Sequence, residues 1–289
     1  MHYDGMIIRP PSEAYSILLQ VTLGCSHNKC TFCGTFRDKR FNIKSDEIIF
    51  QDIEYARENC RHQNRLFICD GDALIVPQRR LVPILKRIRE RLPWVDRIGV
   101  YANTKSIAMK SDEELKELRD LGVGIAYMGL ESGDDVVLKD IRKGATSEKM
   151  IAQGQRLKQA GIKLSVTVLV GLAGQAGSQQ HATETGRVLS AMDPDFVGAL
   201  SLMLVPGTEL YDDHQAGRFQ LMGAEEMLVE LGTMIATTHL SDGLFHANHA
   251  SNYLPIRARL PRDKEKTLQL ISQALDGDVK LKPEYLRAL

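Results

Sequence analysis

The chain has 289 residues, 43% of them hydrophobic, with 37 basic side chains against 37 acidic ones. That length fits one α/β barrel of about 250 residues as readily as two smaller domains, and a neutral chain has no general electrostatic pull toward nucleic acid or an anionic membrane. The segment from Met1 to Pro11 lacks the apolar centre of a signal peptide, and no later stretch approaches a membrane span. A cytoplasmic protein without leader or anchor is therefore expected. Five cysteines in a chain this long are no disulfide framework, and three of them fall between Cys25 and Cys33, which points to metal or redox chemistry.

Ser16–Thr22 is apolar and partly alternating, as a strand is, and runs directly into the cysteines. A helix is predicted over 45–59, a second strand over Arg65–Asp70, a helix over 79–91 and a third strand over Arg97–Ala102. Ser111 and Glu114 form a capping box, in which hydroxyl and carboxylate satisfy each other's orphan backbone donors, and the helix it opens stops near Gly122. Strands over Gly124–Gly129, Lys163–Val170 and Phe196–Leu204 then alternate with helices over 147–160, 178–192 and 223–238. These strands are short and β-rich, as strands buried on both faces are.

Strand ends recur about every 36 residues, which suits a βα unit. Six such units predict an α/β fold, a partial (β/α)6 TIM-type barrel with its chemistry where strands meet the following loops. An open doubly wound sheet uses the same alternation, so the pattern leaves closure open. After Ser241 the periodicity breaks until a last helix near Asp263. The expected organisation is a barrel over 1–240 and a short C-terminal extension, 241–289, packed on the same domain.

Cys25, Cys30 and Cys33 are spaced C-x4-C-x2-C. Thiolates suit zinc or iron–sulfur clusters. With His27 they make a Cys3His zinc site, as in a zinc-stabilised α/β binding module. On an iron–sulfur cluster they leave one iron open to a substrate or cofactor. An iron–sulfur electron carrier is a third class, although a carrier wants a fourth cysteine.

A three-cysteine loop directly after the first strand of a βα barrel resembles the radical S-adenosylmethionine (SAM) superfamily. The family's usual spacing is C-x3-C-x2-C, so this loop holds one residue more, expected to bulge at His27–Asn28. Phe32 matches the aromatic residue that lies near adenine. Asp70–Gly71–Asp72, directly after the second strand, resembles the Gly-Gly-Glu-like segment that holds the amino group of SAM, with the glycine pair reduced to Gly71. Tyr127–Gly133 and Leu138–Gly144 are similar to the fourth-strand segment of radical SAM methylthiotransferases and coproporphyrinogen-oxidase-like members. There the counterparts of Glu131 and Ser132 lie near the ribose and methionine moiety. Val168–Leu172 and Leu204–Thr208 resemble the fifth and sixth strand ends, which sets Gly171 and Val205 beside the adenine. The resemblance spans roughly residues 16–211.

It implies an oxygen-sensitive enzyme with a 4Fe–4S cluster on Cys25, Cys30 and Cys33 and with SAM at the open iron. An external electron donor of flavodoxin or ferredoxin type would drive cleavage of SAM to a 5′-deoxyadenosyl radical, which takes hydrogen from a substrate. Asp70 or Asp72 would accept from the SAM ammonium, Glu131 from the ribose or the ammonium, and Gly71 would permit close approach. The neutral composition argues for a small-molecule substrate and against nucleic acid. Phe245–Pro255 is dense in polar groups and offers His246, His249 and Tyr253 as catalytic candidates at the barrel mouth, a hydrogen-bonded turn network being the plain alternative. Cys60 and Cys69 are read as packing thiols.

Overall fold

The computed structural model describes residues 1–288. Its elements begin with β1 (Ile17–Gln20), β2 (Thr22–Leu23), β3 (Asn42–Ile43), α1 (Asp46–Asn59), β4 (Arg65–Cys69) and α2 (Gln78–Arg91). Next come β5 (Arg97–Ala102), α3 (Thr104–Ala108), α4 (Asp112–Asp120), β6 (Val123–Glu131), α5 (Asp135–Asp140) and α6 (Ser147–Gln159). The chain continues through β7 (Lys163–Val170), α7 (Gly174–Met192), β8 (Phe196–Ser201), α8 (Glu209–Gln215) and α9 (Ala224–Thr237). It closes with β9 (Gly243–Ala247), β10 (Ile256–Leu260) and α10 (Lys264–Leu275). The residues form two compact units, one of Met1–Asn28, Thr35–Met128 and Gln153–Leu164, the other of Lys29–Gly34, Gly129–Ala152 and the chain from Ser165 onward.

In the first unit β1, β4, β5 and β6 pair in that order, all parallel. Leu66, Phe67, Ile68 and Cys69 are fully buried, and a strand covered on both faces has no place for a polar side chain. Phe67 meets Tyr101 and Tyr127 edge-on, ring centres 5.0 and 5.7 Å apart. Below these rings the buried Glu13 carboxylate accepts from the Tyr127 hydroxyl, from Ser16 and from Arg97. The expected capping box opens α4: Ser111 Oγ accepts from the Glu114 amide at 3.1 Å, and Glu114 accepts from the Ser111 amide at 2.8 Å. The helix ends where Gly122 takes a φ of +103°, a conformation that side chains resist.

In the second unit β7, β8 and β9 pair in parallel and β10 runs antiparallel to β9. The pattern predicted six main strands; β9 and β10 are two more, and they extend the sheet beyond β8. Their signal is an alternation: Ile256, Ala258 and Leu260 are buried while Arg257 and Arg259 face outward. α7 begins at Gly174, four residues before its expected start, and packs on α9. Among the described residues no helix is long and apolar enough to cross a membrane.

Candidate cofactor site

In the first unit β4 ends at Cys69, and the chain turns through Asp70, Gly71 and Asp72. Both carboxylates are fully buried, and each grips one flank of Cys25. Asp70 Oδ2 accepts from the Gly24 amide at 3.2 Å, from Gln20 at 3.2 Å and from Lys39 Nζ at 3.0 Å. Asp72 Oδ2 accepts from Ser26 Oγ at 2.6 Å and from Asn103 Nδ2 at 2.6 Å. The other oxygen of each, Oδ1, is buried without a hydrogen-bond partner. A buried acceptor left unpaired costs about 1–3 kcal/mol, more when charged.

Burial pushes the Asp72 carboxyl up to about 6, against the pull of Ser26, Ser106 and nearby backbone dipoles. Gly71 supplies closeness: a Cβ there would stand 3.0 Å from the Phe36 ring, 3.2 Å from the Gly24 carbonyl oxygen and 3.3 Å from Cys25 Cα. Asn28, in the stretch where the extra residue was expected to bulge, has a φ of +46° and its side chain donates to the Phe36 carbonyl at 2.9 Å. Asn103, Ser26 and Lys39 were not among the residues singled out from the sequence. Asn103 stands directly after β5, so attention to every strand end would have found it.

Cys30 and Cys33 belong to the second unit. Their turn is pinned at Thr31, just before Phe32: the Thr31 amide donates to the Ile141 carbonyl at 3.1 Å and its carbonyl accepts from the Leu210 amide at 3.1 Å. A Cβ on Gly34 would come 2.9 Å from Val205 Cγ1, so Val205 packs directly against the residue that follows the last cysteine. Glu131, at the end of β6 with φ +65°, accepts from Lys143 Nζ at 2.9 Å. Ser132 is buried with its hydroxyl 2.8 Å from His181 Nδ1, and the Gly171 amide donates to Glu230 at 2.6 Å. Lys143, His181 and Glu230 are further residues that the sequence pattern did not bring forward.

Among the described residues no group of three or more His, Cys, Asp or Glu is gathered that could hold a metal ion. The donor chemistry does fit a cluster, since thiolates are its usual ligands and none of the three loop cysteines is tied up in a disulfide. The two unpaired Oδ1 atoms fit an ammonium group. Burial holds the Cys69 and Cys60 thiols above their usual range, more strongly at Cys69, as packing thiols would be.

The three catalytic candidates lie apart from one another in role. His246 is on β9 opposite Arg257 and lines a cavity of about 190 Å³ with Leu244, Arg259 and Arg262. His249 sits in the following turn, its Nδ1 accepting from the Ser251 amide at 3.2 Å. Burial, and then Arg257 and Lys282 respectively, lower both imidazoles toward the neutral form.

Tyr253 is buried and donates to Glu284, while Arg287 donates to its oxygen at 2.6 Å and stacks 4.2 Å from the ring centre. Arg287 also donates to the Ser251 and Leu202 carbonyls at 2.6 and 2.9 Å. Asn252 bonds Ser201 and the Ala199 carbonyl, both at 2.9 Å. From Ser251 to Tyr253 the segment is thus a turn network closing over the end of β8. Arg287→Ala is expected to lose about 3 kcal/mol, because buried partners are left unpaired. A thermal melt followed by circular dichroism should fall by roughly 5–10 °C; an unchanged midpoint would show the latch to be dispensable.

A model of the radical SAM superfamily matches residues 19–182, more than half of the chain. The chain belongs to the radical SAM superfamily. Members of this superfamily are enzymes that use a 4Fe–4S cluster and SAM. Among relatives, a methylthiotransferase-like protein of Methanocaldococcus jannaschii is 22% identical over 68% of this chain and 44% of its own length. The heme chaperone HemW of Bacillus subtilis is 23% identical over 79% of this chain and 59% of its own. The chain therefore spans about half the length of these curated relatives.

Among solved structures, coproporphyrinogen III oxidase (HemN) from Escherichia coli matches with a TM-score of 0.55 at 15% identity, over 76% of this chain and 51% of that one. Methylornithine synthase (PylB) matches at 0.54 and 16%, over 78% and 63%. At these identities the likeness shows the fold, an α/β partial barrel with a parallel sheet.

Proposed function

We propose that the protein is an enzyme that binds a 4Fe–4S cluster through Cys25, Cys30 and Cys33, cleaves SAM reductively and abstracts hydrogen from a small-molecule substrate. An external donor of flavodoxin or ferredoxin type would supply the electron, in the cytoplasm. The observation that carries this reading is the Asp70–Gly71–Asp72 turn, which spends one oxygen of each carboxylate on a flank of Cys25 and leaves the other free.

The bound cluster and SAM would supply the electron transfer and the 5′-deoxyadenosyl radical; the protein's part is binding, orientation and exclusion of water. Asp70 and Asp72 hold the loop that carries Cys25 and offer Oδ1 acceptors to the SAM ammonium. Gly71 lets the cysteine backbone approach. Glu131, steadied by Lys143, would accept from the ribose or the ammonium. Phe32, Gly171 and Val205 would border the adenine. His246 and His249, kept neutral, are the candidates for moving protons at the substrate.

Asp72 can hold an ammonium group only as a carboxylate. With burial pushing its carboxyl up to about 6, SAM affinity should be level above about pH 7 and fall by up to about tenfold per unit below pH 6. In Asp72→Asn this slope should vanish. Equilibrium dialysis of labelled SAM against the anaerobically reconstituted protein measures it, and a pH-independent wild-type affinity between about pH 5 and 8 would contradict the role. Folding responds in the opposite sense. The raised carboxyl burdens the free fold above about pH 6, and that burden is relieved between about 6 and 4 as the buried group protonates before its unfolded counterpart.

A further inference from the structure

His181 on α7 and Glu230 on α9 form a buried acid–base pair in the second unit, 0% and 1% exposed. Burying such groups is costly unless every lone pair and proton finds a partner, so their partners matter. Glu230 Oε1 accepts from the Gly171 amide at 2.6 Å and Oε2 from the Ser178 hydroxyl at 2.5 Å. Oε1 also lies 3.4 Å from His181 Nε2.

That same nitrogen is 3.0 Å from the Leu169 carbonyl oxygen, and a nitrogen facing only acceptors carries the proton. In the neutral ring Nδ1 then accepts from the Ser132 hydroxyl, 2.8 Å away, while Ser132 Oγ accepts from the Asp134 amide at 3.0 Å. One connected chain of bonds thus runs from the end of β6, through His181, to the end of β7 and Glu230. Packing repeats the connection. Gly171 has φ +88°, and a Cβ there would meet Met227 Cε at 2.9 Å; Met227 lies one turn before Glu230 on α9. α9 grips the β7 turn by shape and by charge together.

We propose that Glu230 and His181 are positioning residues for SAM, holding Ser132 and the Gly171 turn in fixed relation so that both strand ends meet the cofactor at once, an inference that rests on reading those two strand ends as SAM-facing. Neither side chain touches SAM itself. Each acts through a backbone or hydroxyl group at a strand end. As a carboxylate the acceptor would hold the N–H more tightly than a neutral oxygen does, with burial raising the Glu230 carboxyl and His181, Ser178 and the Gly171 amide pulling it back down.

Glu230→Gln keeps the volume and removes the charge. In protein reconstituted with iron and sulfide, this variant should hold wild-type iron per chain. Its SAM dissociation constant should rise about tenfold, and the change that SAM causes in the electron paramagnetic resonance spectrum of the reduced cluster should weaken. A merely structural role would instead lower iron and SAM binding in proportion.

Val229→Ala, an exposed neighbour on the same helix, should match wild type in all three. Should Glu230→Gln fail to fold, Ser178→Ala removes a single donor to the same carboxylate and should raise the dissociation constant about threefold. SAM affinity equal to wild type in the folded variant overturns the proposal. A wild-type protein that loads iron and binds no SAM overturns the underlying reading before any variant is compared.

Discussion

Asp72→Asn is expected to slow SAM cleavage by about 10²–10³-fold, the cost of removing one partner from a buried charge pair, with iron content close to wild type. Asparagine retains an oxygen for Ser26 or Asn103, so the flank of Cys25 stays held while the charge proposed to meet the SAM ammonium is gone. Asp70→Asn should behave differently. Asp70 Oδ2 gathers the Gly24 amide, Gln20 and Lys39, and an amide nitrogen turned toward those donors would loosen the loop ahead of Cys25. Iron per chain should fall together with cleavage. Iron analysis beside mass spectrometry of 5′-deoxyadenosine separates the two variants. If Asp72→Asn loses its iron as well, Asp72 serves the loop and not the cofactor's ammonium.

Gly133→Ala is expected to destabilise the fold by about 3–4 kcal/mol, from overpacking and the loss of one hydrogen bond. A Cβ there would sit 2.4 Å from the Glu184 carbonyl oxygen and 2.6 Å from Thr185 Cα. Both are backbone atoms of α7, which no rotamer change can move aside. The Gly133 amide also donates to Thr185 Oγ1 at 2.9 Å, a bond that the displaced strand end would lose. The melting midpoint should drop by roughly 6–12 °C. Because Ser132 is the preceding residue, SAM affinity should fall in the variant even at temperatures where it is fully folded. An unchanged midpoint would contradict the close approach of β6 and α7.

Local signals explain what the sequence made legible. The main strands, the Ser111–Glu114 box and the stop at Gly122 each depend on a few neighbouring residues, and the structure has them where the pattern sets them. Asp70, Asp72, Glu131 and Gly171 were singled out by the resemblance to radical SAM enzymes, each of them at or just after a strand end.

Their partners were not legible, for a different reason. Lys39 lies 31 residues from Asp70, Asn103 the same distance from Asp72, and Glu230 59 from Gly171. Nothing local encodes a bond across such separations. β10 was legible and went unread: its arginines alternate with buried aliphatics, and the polar density of Phe245–Pro255 drew attention to chemistry first. In that segment Asn252 and Tyr253 spend their polar atoms on Ser201, Ala199, Glu284 and Arg287, a use that composition cannot distinguish from catalysis.

The most direct test is anaerobic reconstitution with iron and sulfide, followed by dithionite and SAM, with products read by mass spectrometry. About four irons per chain and 5′-deoxyadenosine that disappears in Cys30→Ala are the expected result. A protein that takes up zinc but neither iron nor sulfide, and leaves SAM intact, would contradict the proposed chemistry.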